Sequence, residues 1–414
     1  MTSEVFVWVY LPGSAEPVVC GRFAQRQGPA GSTTGEFVYG ASYLQRADAV
    51  AIDPLALPLR PHLITTAYLS GWFSVLLDGG PDDWGKRLID RLYGPQDALG
   101  YLLQAHGQPI GALAFSADPQ TRPDEASPPP TTGTLPRLLD LHRAIEAGEA
   151  VADEDRALLL QGTSAGGARP KTTVEDDGAL WLAKFPSAHD RADQPPVPAM
   201  EAALLSIASA CEIRVPRHRV ITAANAPVLL VERFDRHRLP DGRYARRAYA
   251  SARTLLWSKP EVQQYSFMGS YNNLARQMRV WERAPAEDIR ELYRRIAFNC
   301  LVGNTDDHDR NTGFIGQPDG LFVLSPAFDL TARPRSPRMS LAMGFGADGG
   351  ALTLANLLSE SRDFGYSRSD AQALVQSQWE TIHSSLVEQL VAHTCPERLA
   401  VAALDAMPGS HMLS

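Results

Sequence analysis

Residues Gly303-Asn304-Thr305-Asp306-Asp307-His308-Asp309-Arg310-Asn311 put three carboxylates, two amides and an imidazole on one short stretch. Phosphoryl transfer asks little covalent chemistry of a protein. It needs a carboxylate to orient and deprotonate the attacking hydroxyl, oxygen ligands for magnesium, and cations around the phosphates. The spacing from Asp306 through His308 to Asn311 can set a base and an amide oxygen on a single loop. Downstream, Ala327-Phe328-Asp329-Leu330 offers the hard carboxylate that magnesium prefers, on a second apolar turn. Asp307 stands beside Asp306, so two carboxylates compete for the role of base. His308 reads as an organiser of the loop by hydrogen bonding rather than as a metal ligand. Taken alone, so many Asx residues also suit a solvated turn; the company they keep favours chemistry.

That company begins with Gly162-Thr163-Ser164-Ala165-Gly166-Gly167-Ala168-Arg169-Pro170-Lys171. Its glycines let backbone N–H groups approach a phosphate without side-chain obstruction. Gly162 and Gly167 have the spacing of the common phosphate loop, but Ala168 stands where its lysine belongs. As a bare glycine loop the signal is weak; its place before two strands lifts it. The second strand carries Lys184 between Ala183 and Phe185, and such a lysine is costly to bury without a partner. Glu201, at the start of the next helix, is the natural partner for an ion pair that positions ATP phosphates. The alternative is a lysine reaching to solvent from an edge strand. Further on, Val228-Leu229-Leu230-Val231-Glu232-Arg233-Phe234-Asp235-Arg236 suits a hinge strand whose backbone reads adenine. Phe234 there either stacks on the base or fills core. Seven arginines between Arg233 and Arg253 flank a Pro240-Asp241-Gly242 turn. They suit a solvated hairpin or a surface for a phosphorylated loop or acidic substrate.

The elements that must hold these residues follow from periodicity. Val5–Leu11 and Pro17–Arg22 predict a hairpin about Pro12-Gly13-Ser14, and Lys86–Leu92 a helix. Residues 117–136 and 186–198 read as loops, being polar and rich in proline. Strands at Lys171–Glu175 and Leu180–Phe185 flank a tight Asp-Asp-Gly turn, and Ala199–Cys211 is an apolar helix. The spacing of Ile289, Leu292, Ile296, Ala297, Cys300 and Leu301 predicts a helix stopped by Gly303. A strand-rich half with a glycine loop thus precedes a helix-rich half, an α+β, bilobal, protein-kinase-like plan with an all-helical C-terminal lobe. The expected divisions are 1–116, a linker at 117–136, a small lobe at 137–235, a large lobe at 236–408 and a tail at 409–414.

At 414 residues, 44% apolar and 21% charged, the chain has the composition of a folded protein. A net charge of -8 argues against coating nucleic acid unaided. No apolar run is long enough for a membrane span, and Glu4 breaks any leader-like start, so a cytoplasmic place is expected. Cys20, Cys211, Cys300 and Cys395 are scattered singly and read as buried, reduced thiols.

The motifs together resemble the HipA family of serine/threonine kinases, toxins of bacterial type II toxin–antitoxin pairs. Carrying the resemblance are Tyr39-Gly40-Ala41-Ser42-Tyr43-Leu44, Pro81-Asp82-Asp83-Trp84-Gly85-Lys86-Arg87, Ser164 to Lys171, Val231 to Arg236, Asn304 to Asn311 and Pro326 to Asp329. It implies ATP and Mg2+ as cofactors and Asp306 as the catalytic carboxylate. It implies Asn311 and Asp329 as magnesium ligands, Lys184 at the nucleotide, and Glu232 with Phe234 at the adenine. Ser164 matches the serine whose autophosphorylation silences these kinases. A protein substrate such as an aminoacyl-tRNA synthetase is implied, with a small helix-turn-helix antitoxin through which any DNA contact would pass. A non-catalytic co-repressor or scaffold, or a small-molecule kinase, would keep many of the same parts. Two departures stand out: Asp309 adds an acid inside the loop, and Thr312 follows Asn311 where a bulkier residue is frequent. Gly409-Ser410-His411-Met412 resembles an expression scar.

Overall fold

Burial alternates over the first half of Glu4–Tyr10 (β1), with Val5 and Val7 turned to an apolar layer, while Trp8, Val9 and Tyr10 are all buried. The computed structural model describes residues 4–106, 108–123, 128–164, 167–257, 269–281, 283–333 and 339–413. They fall into two compact units. The first gathers the described residues of 1–188, 232–250 and 315–320; the second, those of 189–231, 251–314 and 321–414.

In the first unit, β1 pairs with Pro17–Gln27 (β2), closing the expected hairpin from Tyr10 opposite Pro17. Thr33–Tyr39 (β3), Ile64–Thr66 (β4) and Leu113–Ser116 (β5) complete an antiparallel sheet of order β4-β3-β2-β1-β5. Val5, Val7, Phe23, Phe37 and Phe73 form its core, with the Phe23 and Trp72 rings 5.1 Å apart. The helix expected at Lys86–Leu92 runs over Asp83–Tyr93. Trp84, Leu88 and Leu92 recur at i, i+4 and i+8 and pack with Leu141, Ile145 and Leu159.

Lys171–Asp176 (β6) and Ala179–Lys184 (β7) form the next antiparallel hairpin. Its two-residue turn, Asp177-Gly178, has both φ angles positive (49° and 70°). That backbone matches strand twist and favours the Asp-Gly pair. Arg236–Arg238 (β10) and Tyr244–Arg246 (β11) pair around the Pro240-Asp241-Gly242 turn, as the sequence predicts.

The second unit holds the hairpin of His218–Ala223 (β8) with Ala226–Glu232 (β9), whose last residue joins the first unit. The Val197–Ala210 helix is apolar nearly all round and correspondingly buried, packing on the 25-residue Arg368–Ala392 helix. The Pro285–Val302 helix ends as its sequence predicts. Gly303 takes the left-handed conformation (φ 71°), and its N–H donates to the Asn299 carbonyl. All four cysteines are free and buried. Residues 409–412, set aside as a tail on sequence, form a short helical turn. Gly409 is buried there, so close to the Trp379 ring that a Cβ would stand 2.2 Å from it. Among the described residues, no helix is long and apolar enough to cross a membrane.

Candidate functional site

Immediately after the Gly303 stop, the acidic loop folds on itself. The His308 N–H donates to the Asp306 carbonyl (2.8 Å), and the Asn311 N–H donates to the His308 carbonyl (2.9 Å). Asn311 Nδ2 donates to the same Asp306 carbonyl at 3.1 Å. His308 Nδ1 accepts from the Arg310 N–H at 3.2 Å. His308 is therefore bonded to the loop on either side of it.

The two neighbouring carboxylates differ sharply. The Asp306 carboxylate is 42% exposed and pairs with Arg333 at 2.6 Å. Asp307 is buried and accepts from Asn299 Nδ2 at 2.5 Å and from the Tyr271 hydroxyl. Burial raises its carboxyl to about 6, with those two hydrogen bonds pulling the other way. Asp309 is fully buried and paired to Arg253 at 2.9 Å, while the Arg253 N–H donates to the Asp309 carbonyl. The acid that looked like a departure is thus half of an internal ion pair.

Asp329 belongs to a segment anchored at both ends. Before it, the Leu324 N–H donates to Asp288 Oδ2 (2.8 Å), Arg295 donates to the Ser325 carbonyl (2.6 Å), and the Ala327 N–H donates to the Arg214 carbonyl (2.7 Å). Asp288, Glu291, Arg214 and Arg295 are themselves joined by ion pairs. After it, the Arg333 N–H donates to the Gly303 carbonyl (3.1 Å), and the Arg333 guanidinium meets Asp306. The segment carrying Asp329 is thereby tied to the acidic loop. Asp329 itself takes a left-handed backbone (φ 57°), a strained state that only Asn, Asp and Gly visit readily. Its N–H donates to the buried Glu201 carboxylate at 3.2 Å. The Glu201 carboxylate thus holds the backbone of Asp329. Lys184 lies in the first unit and Glu201 in the second.

In the first unit the glycine loop runs from Gly162 into β6, and Lys184 closes β7 half-buried, opposite Lys171 in register. Ser164 is buried, and its hydroxyl has no hydrogen-bond partner among the described residues. Ala165 and Gly166, also expected at the phosphates, lie outside the described residues. Lys171 is buried and sends its ammonium towards Gly167, where a Cβ would lie 2.6 Å from Nζ. Glu232 and Phe234 are half-buried at the end of β9 and just beyond it. Between them, the Arg233 N–H donates to the Leu180 carbonyl of β7 (2.9 Å).

The arginines of this stretch are divided. Arg233 and Arg236 clasp the buried Asp235 and donate to the carbonyls of Gln108, Pro109 and Gly111. Burial opposes ionisation of Asp235, but the two guanidiniums outweigh it and hold the carboxyl well below its usual range. Arg236 and Arg246 are buried, whereas Arg238 and Arg243 remain at the surface. The inner arginines are structural, so an acidic partner could meet only the outer ones.

Three supporting residues, Tyr271, Asn299 and Arg333, escaped the sequence reading, while Asp82, Lys171 and Arg253 stood in its motifs without these parts. Asn299 alone had a local signal, lying in the last turn before the Gly303 stop. The rest reach the site from distant stretches of chain.

A family model described as the HipA-like C-terminal domain matches residues 163–386. Two proteins of Sinorhizobium fredii (strain NBRC 101917 / NGR234), named "Putative kinase Y4mE" and "Putative kinase Y4dM", are each 27% identical to the chain. The first aligns over 348 residues, 79% of each protein, and the second over 169 residues, 38% of each. The fold is similar to a chain of the solved Shewanella oneidensis MR-1 complex of the toxin–antitoxin system HipA, HipB and its operator DNA. That match has a TM-score of 0.65 and 17% identity and covers 95% of both chains. The architecture is accordingly the bilobal, kinase-like α+β fold. With more than half its length matched by the family model, the chain belongs to the family of HipA-like proteins.

Proposed function

We propose that this protein is an ATP- and magnesium-dependent serine/threonine kinase of HipA type, working in the cytoplasm on a protein of the translation machinery. The observation that carries the reading is the tie between the acidic loop and the segment of Asp329, through Arg333 to Gly303 and Asp306. It joins a half-exposed carboxylate and two oxygen-donor residues through bonded chain.

The exposure of Asp306 and the enclosure of Asp307 support Asp306 as the base that orients the substrate hydroxyl. His308 keeps the loop in shape. The donor chemistry suits magnesium: Asn311 donates its amide nitrogen to the Asp306 carbonyl, so its amide oxygen would be the ligand atom, and Asp329 would add a hard carboxylate. Magnesium is commonly held by one or two such protein groups together with substrate phosphates, so no larger protein cage is needed. When bound, the ion would neutralise charge on the phosphates. Lys184 and the loop of Gly162, Ser164, Ala165, Gly166 and Gly167 would receive the phosphates, with Glu201 as a counter-charge, while Glu232 and Phe234 flank the adenine.

Ser164 is the proposed autophosphorylation site. A phosphate there would add about -1.5 to -2 charge to a loop that must itself bind phosphates. The HipB and operator DNA of the Shewanella complex support a small helix-turn-helix antitoxin as partner, with DNA reached through it.

The test is transfer of labelled phosphate from ATP with magnesium, by unphosphorylated protein, to itself and to lysate proteins. Label on Ser164 or on a discrete protein supports the reading. Label only on small molecules would move it to a small-molecule kinase. ATP binding without transfer under varied metals, with a copurifying DNA-binding protein, would favour a non-catalytic co-repressor.

A further inference from the structure

At its start the glycine loop bonds back to Leu159 and Leu160, but at Gly167 it is held from outside. It is seated on the first turn of the Asp83–Tyr93 helix, some eighty residues earlier in the chain. Asp82 occupies the N-cap position, where a carboxylate ordinarily accepts from an N–H of its own helix. Here it makes no such bond. Its Oδ2 accepts the Gly167 N–H at 2.7 Å instead. Two residues on, the Trp84 N–H donates to the Gly167 carbonyl at 3.0 Å, so both backbone polar groups of Gly167 are gripped.

Sterics repeat the same message. Gly85 sits inside the helix, where glycine is a poor choice on propensity alone. Yet a Cβ at Gly85 would stand 2.2 Å from the Thr163 carbonyl oxygen, so the loop backbone rests on the space a side chain would fill. At the other end of the loop, a Cβ on Gly162 would lie 2.9 Å from Leu88 of the same helix. One helix therefore touches the loop at Gly162, Thr163 and Gly167.

We propose that this helix start is the seat of the nucleotide loop, and that Asp82 is a positioning residue for phosphate binding. The proposal rests on the kinase reading above and extends its site into the N-terminal region. A loop seated in advance does not have to be ordered when nucleotide arrives, and preorganisation of that kind appears as affinity. The Gly167 N–H is committed to the seat. Phosphate contact then falls to the rest of the loop and to the lysines beside it. The Asp82 charge contributes nothing attractive to a phosphate. What matters is its acceptor oxygen, and that separates Asn from Ala as replacements.

The experiment measures hydrogen exchange over residues 162–171 of the ligand-free protein, and KM for ATP against kcat, in wild type, Asp82→Ala, Asp82→Asn and Gly85→Ala. Asp82→Ala should speed loop exchange and raise KM, each by about tenfold, with kcat within about threefold, the loss of one charge-assisted hydrogen bond. Asp82→Asn keeps an acceptor and should restore both. Gly85→Ala displaces the loop by another route and should match Asp82→Ala. Unchanged exchange in both Asp82→Ala and Gly85→Ala would overturn the seat. Faster exchange with an unchanged KM would overturn its role in phosphate binding. Should wild type neither bind nor turn over ATP, the kinase reading and the phosphate role fall together, while exchange still reports whether Asp82 seats the loop.

Discussion

The acidic loop and the glycine loop are both short, polar and rich in turn residues, yet they are built in opposite ways. The backbone of the first is tied mainly to itself and to the helix before it, while its three carboxylates reach Arg333, Tyr271 and Arg253. Asp306, His308 and Asn311 exchange hydrogen bonds over two to five residues, and Asn299 reaches Asp307 across eight. The second bonds back to Leu159 and Leu160 at its start, but its Gly167 end is fixed by Asp82 and Trp84, on a helix that leaves room for it at Gly85. A loop held by near neighbours carries its geometry in its own spelling. A loop held by a distant helix changes when that helix changes.

Breaking the acidic loop from outside should have the largest effect. Arg253→Ala takes the guanidinium away from the fully buried Asp309 carboxylate, and breaking a buried ion pair costs about 3 kcal/mol or more. A chemical denaturation curve should show that loss, and Asp309→Asn combined with Arg253→Ala should recover part of it. Unchanged stability in Arg253→Ala would mean that the loop does not depend on this pair. Next in size is Asp306→Asn, expected to lower phosphate transfer by about 10²-fold with ATP binding retained. If Asp307→Asn alone had that effect, the roles of the two carboxylates would be exchanged.

Tyr271→Phe removes one hydrogen bond from the buried Asp307 carboxylate and should cost about 1–2 kcal/mol of stability. Its effect on transfer should be smaller than that of Asp306→Asn. The smallest effect concerns pH. Asp307 has a folded value near 6, raised by burial above the ordinary carboxylate value. The folded state therefore holds this proton more tightly than the unfolded chain. The stabilisation that results is complete below about pH 4 and is lost as pH rises through about 6. Asp307→Asn should flatten that part of the profile of melting temperature against pH. An identical slope in wild type and variant would show that the group does not titrate there.

The same contrast explains what could be read from the sequence. The Pro285–Val302 helix and its Gly303 stop, the hairpin at Asp177-Gly178 and the apolar Val197–Ala210 helix follow from periodicity and turn chemistry, which are local. Within the acidic loop, the bonds of His308 to residues 306 and 310 are local in the same way. The pairing of Asp309 is not legible in this way, because its partner Arg253 lies 56 residues away. The arginines of 233–253 looked like one surface. Nothing local says that Arg233 and Arg236 turn inward to the carbonyls of residues 108–111. The same holds for Gly409, whose burial against Trp379 depends on a neighbour thirty residues back.

The left-handed backbone of Asp329 governs how its charge can be interrogated. Alanine at this position would remove the carboxylate and also strain the main chain, so a loss of activity would conflate the two. Asparagine is nearly isosteric and at ease in that conformation. It would leave the N–H in place for Glu201 while taking away the negative charge. Asp329→Asn is thus a purely electrostatic edit at a site where the usual truncation is also a conformational one.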